Sequence, residues 1–149
     1  TLAKEFGATH TINASNSDVL EEINSITNGV GVDSSVEAAG KVETIELAFK
    51  SVKNNGGQCI FASHPQTGKK ISIDPFDLIL GKNIKGSWGG ASNPDKDIPL
   101  LANLYDKGMM PLEKLVTKKY RLDEINLALD DLKHSNVFRP LIVIDEALN

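Results

Sequence analysis

Three β-type runs in this chain each end in a cluster of small residues: residues 32–40 (VDSSVEAAG), 58–65 (QCIFASHP) and 84–90 (IKGSWGG). Between the first two runs, apolar residues recur at helical spacing in residues 41–53. Strands alternating with a helix are typical of a parallel sheet, whose carboxyl strand ends face a ligand. Small residues at these ends let the backbone come close to a nucleotide. The pattern therefore predicts an α/β fold that binds a nucleotide.

Shorter patterns predict the other elements of the first half. Residues 2–7 have the features of a helix end that stops at a glycine. Residues 9–13 (THTIN) predict a strand, and the next helix is expected over residues 17–26 with Ser17 as its N-cap. Consecutive apolar residues at 59–62 predict a strand that is covered on both faces.

The second half of the chain is less regular. Residues 71–73 predict a short strand, and residues 92–95 predict a loop. Helices are expected at residues 75–80, 98–108 and from 123 onward, and strands at residues 84–88, 115–120 and 140–145. In the last helix the residues expected to face inward are Ile125, Ala128, Leu129 and Leu132.

Length, charge and cysteine content limit the classes of function. The 149 residues are enough for one domain with its own core, and 40% hydrophobic and 24% charged residues are ordinary for a globular protein. A formal net charge of −4 and few aromatic residues argue against a nucleic-acid partner. No apolar run is long enough for a membrane helix. The single cysteine, Cys59, excludes an internal disulfide and indicates a cytoplasmic location.

Five segments in order carry a resemblance to one known family. They are LAKEFGAT (2–9), GVDSSVEAAG (31–40), NNGGQCIFASHP (54–65), GKNIKGSWGG (81–90), and RLDEINLALDDLK with FRPLIVID (121–133 and 138–145). Together they resemble the medium-chain, zinc-type alcohol dehydrogenases over essentially the whole chain. The resemblance implies an α/β fold in which residues 1–88 form an incomplete Rossmann-type parallel sheet with helices on both faces. Residues 89–149 would be a C-terminal segment of the GroES-like catalytic domain.

Several parts that the family needs are not in this sequence. The family's zinc ligands, proton relay and G-x-G-x-x-G loop come before the helix with which this chain opens, and the chain starts at Thr1 without a methionine. We therefore expect a longer parent protein and no catalytic residue in this chain. With the family strand order, two strands would be absent between residues 9–13 and 32–39. Exposed strand edges and helix faces at residues 19–26 and 45–52 would then favour self-association.

The resemblance implies cofactor contacts at the ends of the three runs. Those on the adenosine side are Ala38, Ala39, Gly40 and Lys41; those beside the nicotinamide ribose and ring are Ala62, Ser63 and His64; those at the carboxamide are Ser87, Trp88 and Gly89. Arg139 would reach the cofactor pyrophosphate, since a guanidinium forms forked hydrogen bonds with an anion.

Most of these residues also have a purely structural interpretation. Lys41 and Arg139 could be solvated surface charges, and a lone histidine in a loop such as His64 is more often a surface group than an acid or base. Trp88 is equally suited to a wall of a substrate pocket and to an anchor in a core or dimer interface. Metal binding is not expected, because Cys59 and the three histidines lack the spacing of zinc ligands.

The function that the resemblance implies is the cofactor-binding part of an NAD(P)-dependent alcohol dehydrogenase. Its parent would hold zinc and transfer a hydride between the nicotinamide and a small alcohol or its aldehyde or ketone. NAD is the expected cofactor, with NADP as the alternative, and a homo-oligomer is expected. Two other functions remain open: a zinc-free quinone or enoyl reductase of the same superfamily, and a non-enzymatic α/β nucleotide-binding module.

Overall fold

The computed structural model describes residues 2–145, which form two compact units that divide between Ser92 and Asn93. The first unit contains α1 (Leu2–Glu5), α2 (Val19–Ile26), β1 (Ser34–Glu37), α3 (Val42–Ser51), β2 (Gln58–Phe61), α4 (Pro75–Ile79), β3 (Asn83–Gly86) and a 3₁₀ turn (Gly89–Ala91). The second contains α5 (Pro94–Asp106), β4 (Lys118–Arg121), α6 (Ile125–Lys133), β5 (Pro140–Val143) and two 3₁₀ turns (Leu112–Leu115 and Leu122–Glu124). None of the helices described is long and apolar enough to cross a membrane.

The three strands of the first unit form a parallel sheet in the order β1-β2-β3. In this register Glu37, Phe61 and Gly86 lie side by side at the last position of their strands. Because the strands are parallel, their carboxyl ends meet at one edge of the sheet. The expected α/β architecture with a parallel sheet is therefore confirmed, and all three small-residue clusters follow this edge.

Helix α3 supplies much of the first unit's core. Its buried side chains Ile45 and Phe49, with Val52 just beyond its end, are each 1% exposed. Phe49 and Val52 pack with Cys59 of β2, and Ile73 and Ile84 lie against the same cluster. Burying such a side chain stabilises the fold by about 1.5–3 kcal/mol. The expectation of an exposed apolar face at residues 45–52 is therefore wrong, because this face packs against the sheet.

The opposite face of the sheet is open. Val36 of β1 is 70% exposed, and its neighbour in the register, Ile60 of β2, is 36% exposed. The prediction that residues 59–62 are covered on both faces is thus wrong for this chain: Cys59 is buried and Ile60 is not. Alternate strand residues point to opposite faces, and α3 packs on the face that carries Cys59.

Two predicted strands do not form. Residues 9–13 and 71–73 have extended patterns, but neither pairs with a neighbouring strand within the part of the chain that the structure describes. A strand needs a partner for its backbone N–H and C=O groups, and β-type residues alone do not supply one. Ile73 still contributes to the core, because its side chain packs against the cluster around Phe49.

Two helix starts also differ from the sequence prediction. Asp18 rather than Ser17 caps α2, because its carboxylate accepts hydrogen bonds from the N–H groups of Leu20 (2.9 Å) and Glu21 (3.1 Å). Residues 92–95 are not all loop, because α5 begins at Pro94. Proline is well suited to the first helical position, where its missing N–H would have had no partner in the helix.

The second unit is built on a parallel pair, β4-β5, with α6 packed beside it. Its core consists of Tyr120, Ala128 and Val137. The predicted inward face of α6 is largely wrong: Ala128 is buried, but the three other residues expected to face inward are exposed, namely Ile125, Leu129 and Leu132. Within the residues described, Ala128 is the position at which α6 packs into the core with Tyr120 and Val137.

A polar network holds β4 to the end of α6. The Asp131 carboxylate accepts hydrogen bonds from the Tyr120 hydroxyl (2.6 Å), the Lys118 ammonium (3.0 Å) and the Asn136 amide (3.1 Å). The hydrogen bond from Tyr120, followed by those from Asn136 and Lys118, lowers the pKa of Asp131 from 3.8 to about 2. Asp131 therefore carries its negative charge throughout the neutral range.

Candidate functional site

The carboxyl edge of the three-stranded sheet brings most of the predicted site residues together. The N–H of Ala62 donates to the carbonyl of Glu37 (2.9 Å), and the N–H of Ser87 donates to the carbonyl of Phe61 (3.0 Å). These bonds continue the pairing one residue beyond each strand end. The loops after β1, β2 and β3 are therefore neighbours, and they hold ten of the predicted residues: Ala38, Ala39, Gly40, Lys41, Ala62, Ser63, His64, Ser87, Trp88 and Gly89.

Glu37, at the end of β1, organises two of these loops. Its side chain is buried, with 4% exposure. One carboxylate oxygen, Oε1, accepts hydrogen bonds from the N–H groups of Ala39 (2.7 Å) and Gly40 (2.9 Å) and from the Thr44 hydroxyl (2.7 Å). The other, Oε2, accepts one from the Ser63 hydroxyl. The loop after β1, the start of α3 and the loop after β2 thus share one side chain.

The hydrogen bonds keep Glu37 ionised. Burial, the largest single influence, raises the pKa of Glu37, but the bonds from Ser63, Thr44, Ala39 and Gly40 together outweigh it, and the pKa lies below its usual value of 4.5. Three of these donors share Oε1, and Ser63 alone donates to Oε2. Sequence analysis missed this residue; the available signal was one acidic residue at the end of a β-type run, directly before three small residues.

Gly40 lies where the first two loops touch. Its φ is +77°, a conformation that a residue with a Cβ rarely adopts. A Cβ at this position would lie 3.5 Å from the carbonyl oxygen of His64 and 3.7 Å from the Cβ of Ser63. Lys41 follows as the N-cap residue of α3, and its side chain makes no capping hydrogen bond. The loops after β1 and β2 are therefore neighbours at Gly40, at ordinary van der Waals distance.

His64 and Trp88 join the second loop to the third. Their ring centroids are 4.5 Å apart and their planes meet at 82°, an edge-to-face contact. Trp88 is nevertheless 83% exposed. It is therefore not an anchor in the core of the described residues, and the interpretations that remain are a wall of a binding pocket and an interface contact.

A cleft of about 380 Å³ opens between the first two loops. The residues around it include Gly40, Lys41, Val42, His64, Pro65 and Lys69. Lys41 and Lys69 bring positive charge to the cleft, and Glu43 brings one negative charge. The lining thus combines apolar surface from Val42 and Pro65 with a majority of positive charge.

Arg139 belongs to the second unit. It is exposed and lies directly before β5. Its expected contact with a pyrophosphate remains a prediction, as do the contacts of the ten residues at the sheet edge.

The described residues do not fit a catalytic zinc site. Zinc needs several clustered Cys, His or carboxylate ligands. No group of three or more such side chains in residues 2–145 could hold a metal ion. Cys59 is buried in the core, and burial raises the pKa of its thiol, with a smaller lowering by Ser35 and a further rise from Glu37. A buried neutral thiol of this kind packs as a small apolar residue.

Known proteins are similar to this chain in both sequence and fold. A family described as Zinc-binding dehydrogenase matches residues 1–106. The chain is 33% identical to Alcohol dehydrogenase-like 2 of Arabidopsis thaliana, over 97% of this chain and 38% of that protein. It is 34% identical to Alcohol dehydrogenase class-2 isozyme 2 of Oryctolagus cuniculus, over 95% of this chain and 37% of that protein. The chain thus spans little more than a third of the length of these relatives.

Solved structures give the same result. Benzyl alcohol dehydrogenase from Acinetobacter calcoaceticus superposes with a TM-score of 0.90 at 35% identity, over 97% of this chain and 39% of that chain. A zinc-binding dehydrogenase structure from Sinorhizobium meliloti 1021, bound to NADP, superposes with a TM-score of 0.80 at 29% identity, over 96% of this chain and 41% of that chain. The chain belongs to the medium-chain, zinc-type alcohol dehydrogenase family.

Proposed function

We propose that this chain is the cofactor-binding part of an NAD(P)-dependent alcohol dehydrogenase. The observation that carries the proposal is the joining of three small-residue loops at one edge of a parallel sheet. In open α/β sheets, ligands bind outside the carboxyl ends of the strands. Because the chain belongs to an alcohol dehydrogenase family, the ligand proposed for this edge is a nicotinamide dinucleotide.

Each loop has a proposed role in holding the cofactor. The loop after β1, with Ala38, Ala39, Gly40 and Lys41, holds the adenosine side; the loop after β2, with Ala62, Ser63 and His64, lies beside the nicotinamide ribose; and the loop after β3, with Ser87, Trp88 and Gly89, meets the carboxamide. Arg139 pairs with the pyrophosphate. When bound, the nicotinamide donates or accepts the hydride.

The parent protein is proposed to act on a small alcohol and its aldehyde or ketone. The support is the family and the names of the relatives, which are alcohol dehydrogenases. Zinc dependence rests on the family name alone, since residues 2–145 offer no ligand set, and no step is assigned to a metal here. NAD is the proposed cofactor; the NADP-bound relative keeps NADP as the alternative.

The organisation of the whole protein is also proposed. Residues 1–88 are assigned to the dinucleotide-binding domain and residues 89–149 to the catalytic domain. The open face with Val36 and Ile60 supports association with further polypeptide, including a second copy in a homo-oligomer. The single buried Cys59, which has no disulfide, supports a cytoplasmic location.

The test of this proposal is a pair of measurements on the protein as its gene encodes it. NADH and NADPH are titrated while their fluorescence is followed, and a panel of primary and secondary alcohols is assayed for reduction of NAD or NADP with and without a zinc chelator. Cofactor binding together with chelator-sensitive alcohol oxidation supports the proposal. Activity on quinones or enoyl compounds without zinc supports the reductase alternative, and nucleotide binding without turnover supports the non-enzymatic one.

A further inference from the structure

We infer that Glu37 is a positioning residue for the dinucleotide, whose carboxylate fixes the loop after β1 and the Ser63 side chain after β2 in one geometry. The inference rests on the proposed cofactor function. Glu37 offers almost no surface to a ligand, because the residue is buried, with 4% exposure. Its influence on a ligand therefore passes through the groups that it holds.

The hydrogen bonds explain why a carboxylate is needed at this position. Oε1 accepts hydrogen bonds from the Ala39 and Gly40 N–H groups and the Thr44 hydroxyl, while Oε2 accepts one from the Ser63 hydroxyl. Glutamine would keep one acceptor oxygen but would place an NH₂ group where the other oxygen accepts a hydrogen bond. Hydrogen bonds to a charged acceptor are also about twice as strong as those between neutral groups. A glutamine at position 37 is therefore expected to hold either the loop after β1 or the loop after β2 less firmly.

Thr44 strengthens the connection to α3. Its hydroxyl oxygen lies 2.7 Å from Oε1 of Glu37 and 2.9 Å from the carbonyl of Lys41. A hydroxyl has one proton, and the charged acceptor attracts it more strongly than a neutral carbonyl does. The first turn of α3 is thereby tied to the same carboxylate as the loop that precedes it.

The same bonds determine what the loop after β1 presents to a ligand. The N–H groups of Ala39 and Gly40 are already used by Glu37 and are not available to a phosphate. What remains outside is the small apolar surface of Ala38, Ala39 and the Gly40 Cα, with Lys41 beside it. We expect such a surface to contact the flat adenosine part of the cofactor by shape. The affinity for the cofactor would then depend on the position of this loop rather than on hydrogen bonds from its N–H groups.

The experiment measures the Kd of NADH in the protein as its gene encodes it, for wild type, Glu37→Gln, Thr44→Val and the double variant. Glu22→Gln is the matched control, because it removes the same charge from an exposed position on α2. All titrations are made where circular dichroism shows each variant to be folded. We expect Glu37→Gln to weaken NADH binding by about 10- to 100-fold, the scale for a lost hydrogen bond to a charged group. Thr44→Val should have a smaller effect in the same direction, and Glu22→Gln none.

Two further readouts separate positioning from plain stability. The double variant should bind NADH no more weakly than Glu37→Gln, because both changes break the same network. The amide proton resonances of Ala39 and Gly40 should move upfield in Glu37→Gln, because their hydrogen bonds to a neutral side chain are weaker than those to the carboxylate. If Glu37→Gln does not fold, the Kd of NADH in folded Thr44→Val tests the inference by itself.

The outcomes distinguish this inference from the function on which it rests. If wild type binds neither NADH nor NADPH, both are overturned. If wild type binds NADH and folded Glu37→Gln and Thr44→Val bind it equally well, the inference alone is overturned and Glu37 is a stabilising residue only.

Discussion

The hydroxyl of Ser63 donates a hydrogen bond to the carboxylate of Glu37, and this contact ties the end of β1 to the end of β2. The two residues are 26 positions apart in the sequence. Ser63 belongs to the predicted cofactor site and Glu37 does not. The geometry of the predicted cofactor site therefore depends on a buried residue that is not one of the predicted contacts.

Replacing Glu37 by Gln should destabilise the first unit as well as weaken cofactor binding. The change leaves donors in a buried site without their charged acceptor, which costs about 1–3 kcal/mol of the free energy of unfolding. Urea denaturation followed by circular dichroism measures this quantity. Glu22→Gln, which lies on the surface of α2, should stay within about 0.5 kcal/mol of wild type. Equal stability of the two variants would show that the Glu37 network contributes nothing to folding.

The Asp131 network should make the second unit sensitive to acid. The pKa of Asp131 is lowered in the folded state, first by the Tyr120 hydrogen bond, from 3.8 to about 2. Stabilisation by a group of this kind is complete above the unfolded pKa and is lost as the pH falls through the folded pKa. Between pH 4 and pH 2 the stability of the unit should therefore decrease.

The check on Asp131 is an NMR titration of its side-chain carboxyl carbon in wild type and Tyr120→Phe. Removing the Tyr120 hydroxyl takes away the largest cause of the lowered pKa, so the midpoint should rise toward the ordinary value. An Asp131 midpoint that is ordinary already in wild type would refute the network as the cause.

Helix α3 shows how far the sequence pattern reaches. The spacing of Ile45, Phe49 and Val52 predicts one apolar face, and all three are buried. The spacing of apolar residues is sufficient to predict this buried face, because the sheet on which α3 packs lies within the first unit. The alternation of strands and helix predicts the parallel sheet and the meeting of its small-residue ends. The order of the strands was expected from the family resemblance and not from this alternation.

The sequence predictions that are wrong concern residues whose structure depends on pairing or packing partners outside the local pattern. Residues 9–13 have strand-like composition, but no neighbouring strand pairs with them among the residues described. Ile60 and Leu129 are apolar and exposed because nothing in the described chain packs on their faces. Glu37 was missed since its importance comes from four contacts that arise only after folding.

Gly31 and Gly29 provide a matched pair for testing backbone packing before β1. Both have a positive φ, +87° and +77°, so alanine is strained at either position by about 1–2 kcal/mol. At Gly31 a Cβ would also lie 2.8 Å from the Ser51 carbonyl oxygen, whereas at Gly29 nothing lies within 4 Å. Gly31→Ala should therefore cost about 1–3 kcal/mol more than Gly29→Ala in chemical denaturation. Equal losses would mean that this close backbone contact does not form.

Arg139 should contribute to cofactor affinity through its guanidinium. Arg139→Ala is expected to weaken NADH binding by about 1.5–3 kcal/mol, the scale for a hydrogen bond to a charged group. Arg139→Lys should recover only part of this, because a single ammonium lacks the forked geometry. Lys114→Ala, which removes an exposed charge from the same unit, is the control for a general electrostatic effect. If the Kd of NADH is unchanged in Arg139→Ala, this residue is a solvated surface charge and does not contact the cofactor.

The most direct test of the proposed function is to locate NADH on the protein by ¹H–¹⁵N NMR during a titration. The proposal predicts saturable shifts concentrated in the three loops at the carboxyl edge of the sheet, with Gly40, Ser63 and Gly89 as reporters, and little change in exposed residues of α2 such as Glu22. Absence of binding, or saturable shifts that leave all three loops unchanged, would contradict the assignment of this edge as a dinucleotide site.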